Sequence, residues 1–350
     1  MSEPSESTQS KTPPKKEKKR GRFLSFGLKT LLLLFCLSAI GINYWRKSVV
    51  QKESLEILQS CGAEFVYEHE MGEDFDYLVD PWERIEVEPG WRDRLRYFLG
   101  SSVVDRVACV RMIEKSNFAP IRPLGGKRKY HQADAWIALR KLNELNSLKA
   151  VAAELNSKEQ IEILSQFYEL KYLQVISYSK DSLEPLSRLP NLEALEVATR
   201  TSEVSWIADC SKVTKLHLRR VLSAPRLTID LSFLSRMPQL EQLEFRAVEL
   251  RKLDVVNSLT NLNELGLVHT DVQSIDPFAK LKIEELRLTD SAVTDANAIL
   301  NMPSLKRVDL RRTLLTDTEV AELKRKLTAS GLEVEVTGTG TVPETELLRD

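Results

Sequence analysis

MPQLEQLEFRAVELRKLDVVNSLTNLNELGLVHTDV, residues 237–272, says one phrase twice. Met237, Leu240, Leu243 and Phe245 stand at the spacing of Leu259, Leu262, Leu265 and Leu267, 22 residues later. Each phrase ends on apolar–polar alternation, Leu243-Glu-Phe245 and Leu265-Gly-Leu267, the period of a strand with one buried face. Leu259 and Leu262 lie about one helical turn apart, so both fold over that same core. One such phrase cannot bury its own apolar face. Copies stacked in series share a continuous one, and a fixed period of roughly 20–30 residues marks that arrangement.

The phrase L-x-x-L-x-L recurs outward in both directions. Copies end at Val308-Asp-Leu310, Leu286-Arg-Leu288, Leu216-His-Leu218, Leu195-Glu-Val197 and Leu173-Gln-Val175, and a degraded one ends at Leu148-Lys-Ala150. Their central apolar residues are 148, 173, 195, 216, 243, 265, 286 and 308, with steps of 25, 22, 21, 27, 22, 21 and 22. This pattern resembles the leucine-rich repeat over residues 105–337. The resemblance implies an α/β solenoid with a curved parallel sheet on its concave side and short helices on its convex side. It also implies protein–protein interaction rather than catalysis. Residues 107–112 read as an opening strand, 134–145 as a helix and 332–336 as a closing strand. Ala224-Pro225-Arg226-Leu227 lengthens one step to 27 residues and reads as a loop.

A second phrase, T/S-x-V/L-T-D, follows two of the strands, at residues 291–295 and 313–317. Thr270, Ser291 and Thr313 stand where the family's asparagine ladder runs, and their hydroxyls are expected to satisfy turn amides. Asp295 and Asp317 are expected to cap convex-side helices at 296–300 and 318–327; Val320 rules out a capping box counted from Asp317.

The chain's 350 residues are 42% apolar and 29% charged, a globular composition. The net charge of −1 hides a basic leader: residues 1–30 hold eight Lys/Arg against three Glu. The remaining body is mildly acidic, which argues against nucleic acid as a partner, because phosphate binding needs a basic face. Of four cysteines, Cys36 lies in an apolar run, and Cys61, Cys109 and Cys210 are far apart without zinc spacing. They read as small buried or half-buried thiols.

Residues 1–22 are too polar to fold. Residues 23–45 are apolar apart from Lys29 and end on Tyr44-Trp45, followed by Arg46-Lys47. That length spans a bilayer core of about 30 Å. The basic flank places the N-terminus in the cytoplasm and the repeats outside, as a single-pass signal-anchor does. A cleaved signal peptide, a lipidated Cys36 and a buried core helix are the alternatives. Residues 46–104 form a juxtamembrane segment: a helix over 47–60, a strand over 63–67, an acidic loop with Glu70, Glu73, Asp74, Asp76 and Asp80, and a helix over 91–99. Residues 338–350 are a polar tail.

No cofactor, metal or catalytic set is legible. His69, His131, His217 and His269 share no metal spacing, and Gly125-Gly126-Lys127-Arg128-Lys129 lacks the phosphate-loop pattern. The outward strand positions instead compose two lanes. One runs Lys149, Gln174, Glu196, His217, Glu244, Gly266, Arg287, Asp309. The other runs Val151, Ile176, Ala198, Arg219, Arg246, Val268, Thr289, Arg311. Tyr172, Ile176, Tyr178, His217, Arg219 and Arg246 are the candidate protein-binding residues, since aromatics and arginines dominate binding hot spots. Two other functions stay open: a cytoplasmic or secreted adaptor, and an enzyme with a site in residues 62–130.

Overall fold

In most repeats a strand forms where two apolar residues flank one polar residue, and it pairs with its counterpart one repeat away. A computed structural model describes residues 21–70, 106–112, 132–146, 148–221, 223–331 and 334–337. The leader up to residue 20, the acidic cluster beyond Glu70, the helix at 91–99, the 125–129 run and the 338–350 tail lie outside the described residues. Contacts divide the chain into Met1–Val49 and Val50–Asp350.

In the first part, α1 (Gly21–Ser60) carries an 18-residue window of mean hydropathy 1.5, none of it buried. Leu31, Leu34, Phe35, Ile40 and Trp45 are all exposed.

In the second part, the last turns of α1 bury Leu55 and Leu58 in the main core. The first strand, β1 (Glu64–Tyr67), pairs antiparallel with β2 (Val107–Met112). A bulge beside Val66 leaves Ala108 without a partner in the register. The sheet thus begins at Glu64, ahead of the expected repeat boundary at 105. α2 (Gln132–Asn146) follows, burying Trp136, Leu139 and Leu142. Then come the parallel strands β3 (Ala150–Leu155), β4 (Tyr172–Ser177), β5 (Ala194–Thr199) and β6 (Lys215–Arg220). A short helix, α3 (Lys158–Leu164), joins β3 to β4. The 27-residue step holds β7 (Thr228–Asp230), which leaves the main sheet and pairs with β9 (Glu249–Arg251). The main sheet continues with β8 (Gln242–Arg246), β10 (Glu264–Val268), β11 (Glu285–Arg287) and β12 (Arg307–Asp309). α4 (Asp317–Ala329) leads to β13 (Glu335–Thr337). Eleven strands stand in the order β1-β2-β3-β4-β5-β6-β8-β10-β11-β12-β13.

The core is a ladder. Val110, Val151, Leu173, Leu195, Leu216, Leu243, Leu265, Leu286 and Val308 are register partners from strand to strand. All are buried, and each large aliphatic contributes roughly 1.5–3 kcal/mol before chain entropy is counted. The ladder corrects the start of the repeat. Val151, not Leu148, pairs with Leu173, so the step of 25 becomes one of 22. Val151 leaves the outer lane for the core, and Ala152 and Glu154 take the outward places given to Lys149 and Val151.

Most repeats close with a 3-10 turn of three to six residues rather than an α-helix. Two caps differ in detail from expectation. Asp295 does accept the Asn297 N–H at 2.8 Å, but the turn it starts is 3-10. α4 is capped by Thr316, one residue before Asp317. Thr316 Oγ1 accepts the Glu319 N–H at 3.2 Å, and Glu319 accepts the Thr316 N–H at 2.8 Å. That is a full capping box, spelled T-D-T-E. Thr316→Ala is expected to cost about 1 kcal/mol, read as a lower denaturation midpoint with an unchanged slope; an unchanged midpoint would refute the cap's role.

Candidate functional site

Four strands, β8, β10, β11 and β12, are followed by the same backbone turn. Ala247, His269, Asp290 and Arg312, at equivalent places in four repeats, have φ of 56°, 52°, 58° and 57°. This left-handed step costs a non-glycine residue roughly 1–2 kcal/mol, and it turns the next side chain inward. Val248, Thr270, Ser291 and Thr313 are accordingly buried. The three hydroxyls donate to the carbonyl three residues upstream: Thr270 to Leu267 at 3.5 Å, Ser291 to Leu288 at 2.5 Å, Thr313 to Leu310 at 2.9 Å. They bond carbonyls within their own turn, not the turn amides expected of them.

Asparagines lace repeats together elsewhere. Asn191 Nδ2 donates to the Tyr168 carbonyl at 2.9 Å, and Asn261 Nδ2 to that of Pro238 at 3.1 Å. The signal lies in the sequence as Pro190-Asn191-Leu192 before β5 and Thr260-Asn261-Leu262 before β10. With a leucine ladder in register across the parallel strands, a repeated left-handed turn and a short helical return, the architecture is decided. The fold is a leucine-rich-repeat solenoid.

No protein-family model and no curated protein matches it. Among solved structures it is similar to an internalin C2 from Listeria monocytogenes, at 22% identity over 58% of this chain and 84% of that one, with a TM-score of 0.43. A second Listeria monocytogenes internalin is 17% identical over 60% of this chain and 67% of its own, TM-score 0.42. A leucine-rich-repeat protein of Leptospira interrogans is 14% identical over 58% of each chain, TM-score 0.37.

The sheet face of this leucine-rich-repeat chain, opposite the ladder, carries three lanes. The central lane crosses all eleven strands: Glu64, Arg111, Ala152, Gln174, Glu196, His217, Glu244, Gly266, Arg287, Asp309, Thr337. Its polar groups bond one another. Gln174 donates to Glu196, and His217 Nδ1 lies 3.1 Å from Glu196 Oε1. Glu244 reaches across Gly266 to Arg287 at 3.2 Å. A Cβ on Gly266 would sit 2.9 Å from Glu244 Cγ, so glycine there makes room for that bridge. Arg311 grips Asp309 at 2.6 Å.

The second lane is Cys109, Ala150, Tyr172, Ala194, Lys215, Gln242, Glu264, Glu285 and Arg307. Its first four residues belong to a small apolar cluster with Val66 and Ala108. Burial pushes the Cys109 thiol up to about 12, and burial together with Asp209 does the same for Cys210, so neither is a ready nucleophile. The third lane is Glu154, Ile176, Ala198, Arg219, Arg246 and Val268. Ile176 and Ala198 cluster with Val221 and Ala224, and Tyr178 packs against them.

The six candidate residues therefore divide. Tyr172 and Ile176 are buried, at 8% and 2% exposure, and offer a partner little surface. Tyr178, His217 and Arg219 are half-buried, and Arg246 is exposed. Alternation along a strand told which face each residue takes, but not what else packs there.

Burial alone would raise the Glu196 carboxyl. The His217 ring and the Arg219 charge, with the Gln174 amide, outweigh it and hold the group below its ordinary 4.5. A carboxyl depressed in the folded state stabilises the fold above the unfolded pKa, and that contribution is lost as pH falls through the folded value. Glu196→Gln is therefore expected to destabilise the protein at pH 7 and to approach wild type below about pH 4. Denaturant midpoints taken across this range check it; a gap independent of pH would refute it.

Beyond the strand ends lies a cleft of about 190 Å³, lined in part by Arg220, Arg226, Ala247, His269, Asp271 and Asp290. Among the described residues no group of three or more His, Cys, Asp or Glu could hold a metal ion.

Proposed function

We propose that the chain is a non-catalytic, single-pass membrane protein that binds a protein partner through its sheet face. The observation that carries this reading is the composition of that face. Half-buried Tyr178, His217 and Arg219 and exposed Arg246 stand beside an apolar cluster, a mixture typical of binding patches. The exposed apolar stretch of α1 supports residues 23–45 as the span. The basic residues before it support a cytoplasmic N-terminus and repeats outside the cytoplasm. The domain plan follows: tail 1–22, span 23–45, juxtamembrane segment 46–104, repeats 105–337 and tail 338–350.

Three experiments test this. Alkaline carbonate extraction should leave the full chain in the membrane, and external protease on intact cells should remove the repeats. Release into the supernatant would point to a cleaved leader, and protected repeats to a cytoplasmic adaptor. In mild detergent the chain should migrate with its partner; Val268→Glu on the sheet face should return it to its own size, whereas Ser258→Glu on the helical side should not. Equal behaviour of the two variants would remove the sheet face as the binding surface.

A further inference from the structure

Most arginines of the sheet face are paired with described residues, and two are not. Arg111 meets Glu64, Arg287 meets Glu244 and Glu264, Arg307 meets Glu285 and Arg311 meets Asp309. Arg219 and Arg246 are direct register neighbours on β6 and β8. Neither side chain makes a hydrogen bond or ion pair with any described residue; Arg219 only feels the charge of Glu196 across the lane. Like charges side by side on adjacent strands repel and weaken a sheet. Carboxylates abound on this face, so the sequence could have supplied a partner here and did not. A local rule broken without internal compensation is expected at a functional position.

The pair's nearest neighbours in its row are apolar: Ile176 and Ala198 precede it and Val268 follows it, with Glu154 further out beyond Ile176. From this we infer that Arg219 and Arg246 together form a receptor for one carboxylate of an acidic peptide segment on the partner protein. The inference rests on the sheet-face reading above and names its specificity. Two guanidinium forks side by side suit a carboxylate's two oxygens. Strands stand about 4.8 Å apart, so the midpoint of the pair lies about 7 Å from Val268. Alternate residues of an extended peptide are separated by about 6.8 Å. The preferred segment therefore carries Asp or Glu with an apolar residue two positions away. A nucleic-acid backbone is disfavoured, because the neighbouring lanes mix Glu264, Glu285, Glu244 and Asp309 with their cations and offer no continuous basic track.

The test selects phage-displayed random dodecapeptides on the full detergent-solubilised chain and measures binding of the best synthetic peptide. Selection should enrich Asp or Glu paired with an apolar residue two places away. Arg219→Ala/Arg246→Ala should weaken that peptide at least tenfold, as should Asp→Asn or Glu→Gln in the peptide. Arg307→Ala, at a cation already paired, should change it less than threefold. The double variant should melt close to the wild type, the repulsion it removes offsetting the lost attraction of Arg219 for Glu196; a markedly lower melting temperature would mean the pair is structural and overturn the inference. Enriched peptides that lack acid but are blocked by Val268→Glu would overturn the arginine receptor and leave the sheet-face reading standing. No enrichment, or peptides indifferent to Val268→Glu, would overturn both. A dT dodecamer bound more tightly than any peptide and lost in the double variant would overturn the peptide in favour of nucleic acid.

Discussion

Leu286→Asp is expected to unfold the C-terminal repeats, not merely its own strand. Leu286 is fully buried and lies between Leu265 and Val308 in the core ladder. Truncation to alanine would already cost about 2–5 kcal/mol. Aspartate adds a carboxylate with no partner in an apolar column, which must either stay charged at a penalty of several kcal/mol or take up a proton. In a stacked array the stability of one repeat depends on its neighbours. β11 supplies the pairing of β12, and β12 that of β13, so losing Leu286 exposes both. Hydrogen exchange should show amides of residues 285–337 exchanging at unfolded rates, while β3 to β6 keep their protection. Faster exchange limited to residues 285–287 would contradict a shared core.

Arg220→Ala has the second large effect. Arg220 is a buried charge at 7% exposure, at the end of β6 where the long repeat begins. Its Nη1 donates to the Ala224 carbonyl at 2.5 Å and its Nε to that of Ala247 at 3.2 Å. One side chain thus ties the inserted loop to the turn of the next repeat, whose Ala247 is held in the left-handed conformation. Alanine leaves two carbonyls without these donors and widens the cleft that Arg220 lines. A loss of about 2–4 kcal/mol is expected, by the cost of unmet buried polar groups and of hydrogen bonds to a charged donor. Arg220→Lys should recover only part of it, because one ammonium cannot reproduce the two directions of the fork. Unfolding midpoints of the three proteins decide the matter; a lysine variant as stable as wild type would show that charge alone matters.

How much of this was legible in the sequence varies with the residue. From Leu173 to Leu310 the repeat register could be read directly, because both core positions of each strand are large and apolar. It failed at β3, whose text Ala-Val-Ala-Ala-Glu-Leu puts Ala153 at a core position. Small residues blur the contrast on which periodicity depends, and Leu148 drew the alignment three residues early. The cap of α4 was missed by one residue, because T-D was read as a unit instead of T-x-x-E. The outward direction of Gln174 through Asp309 followed from alternation. The burial of Tyr172 and Ile176 did not, since it comes from packing between residues far apart in sequence. The pairing state of arginines is likewise a property of the assembled face: Arg219 and Arg246 lie 27 residues apart in the chain and become neighbours only through the strand order.

The claim that the sheet face binds a protein is tested most directly by site-specific photocross-linking in the native membrane. A photoreactive residue is placed in turn at Arg246 and Val268 on the sheet face, and at Ser258 on the helical side. The account predicts one discrete adduct of the same mass from both sheet positions and none from Ser258. Adducts of equal yield from Ser258, or none from Arg246 and Val268, would contradict it.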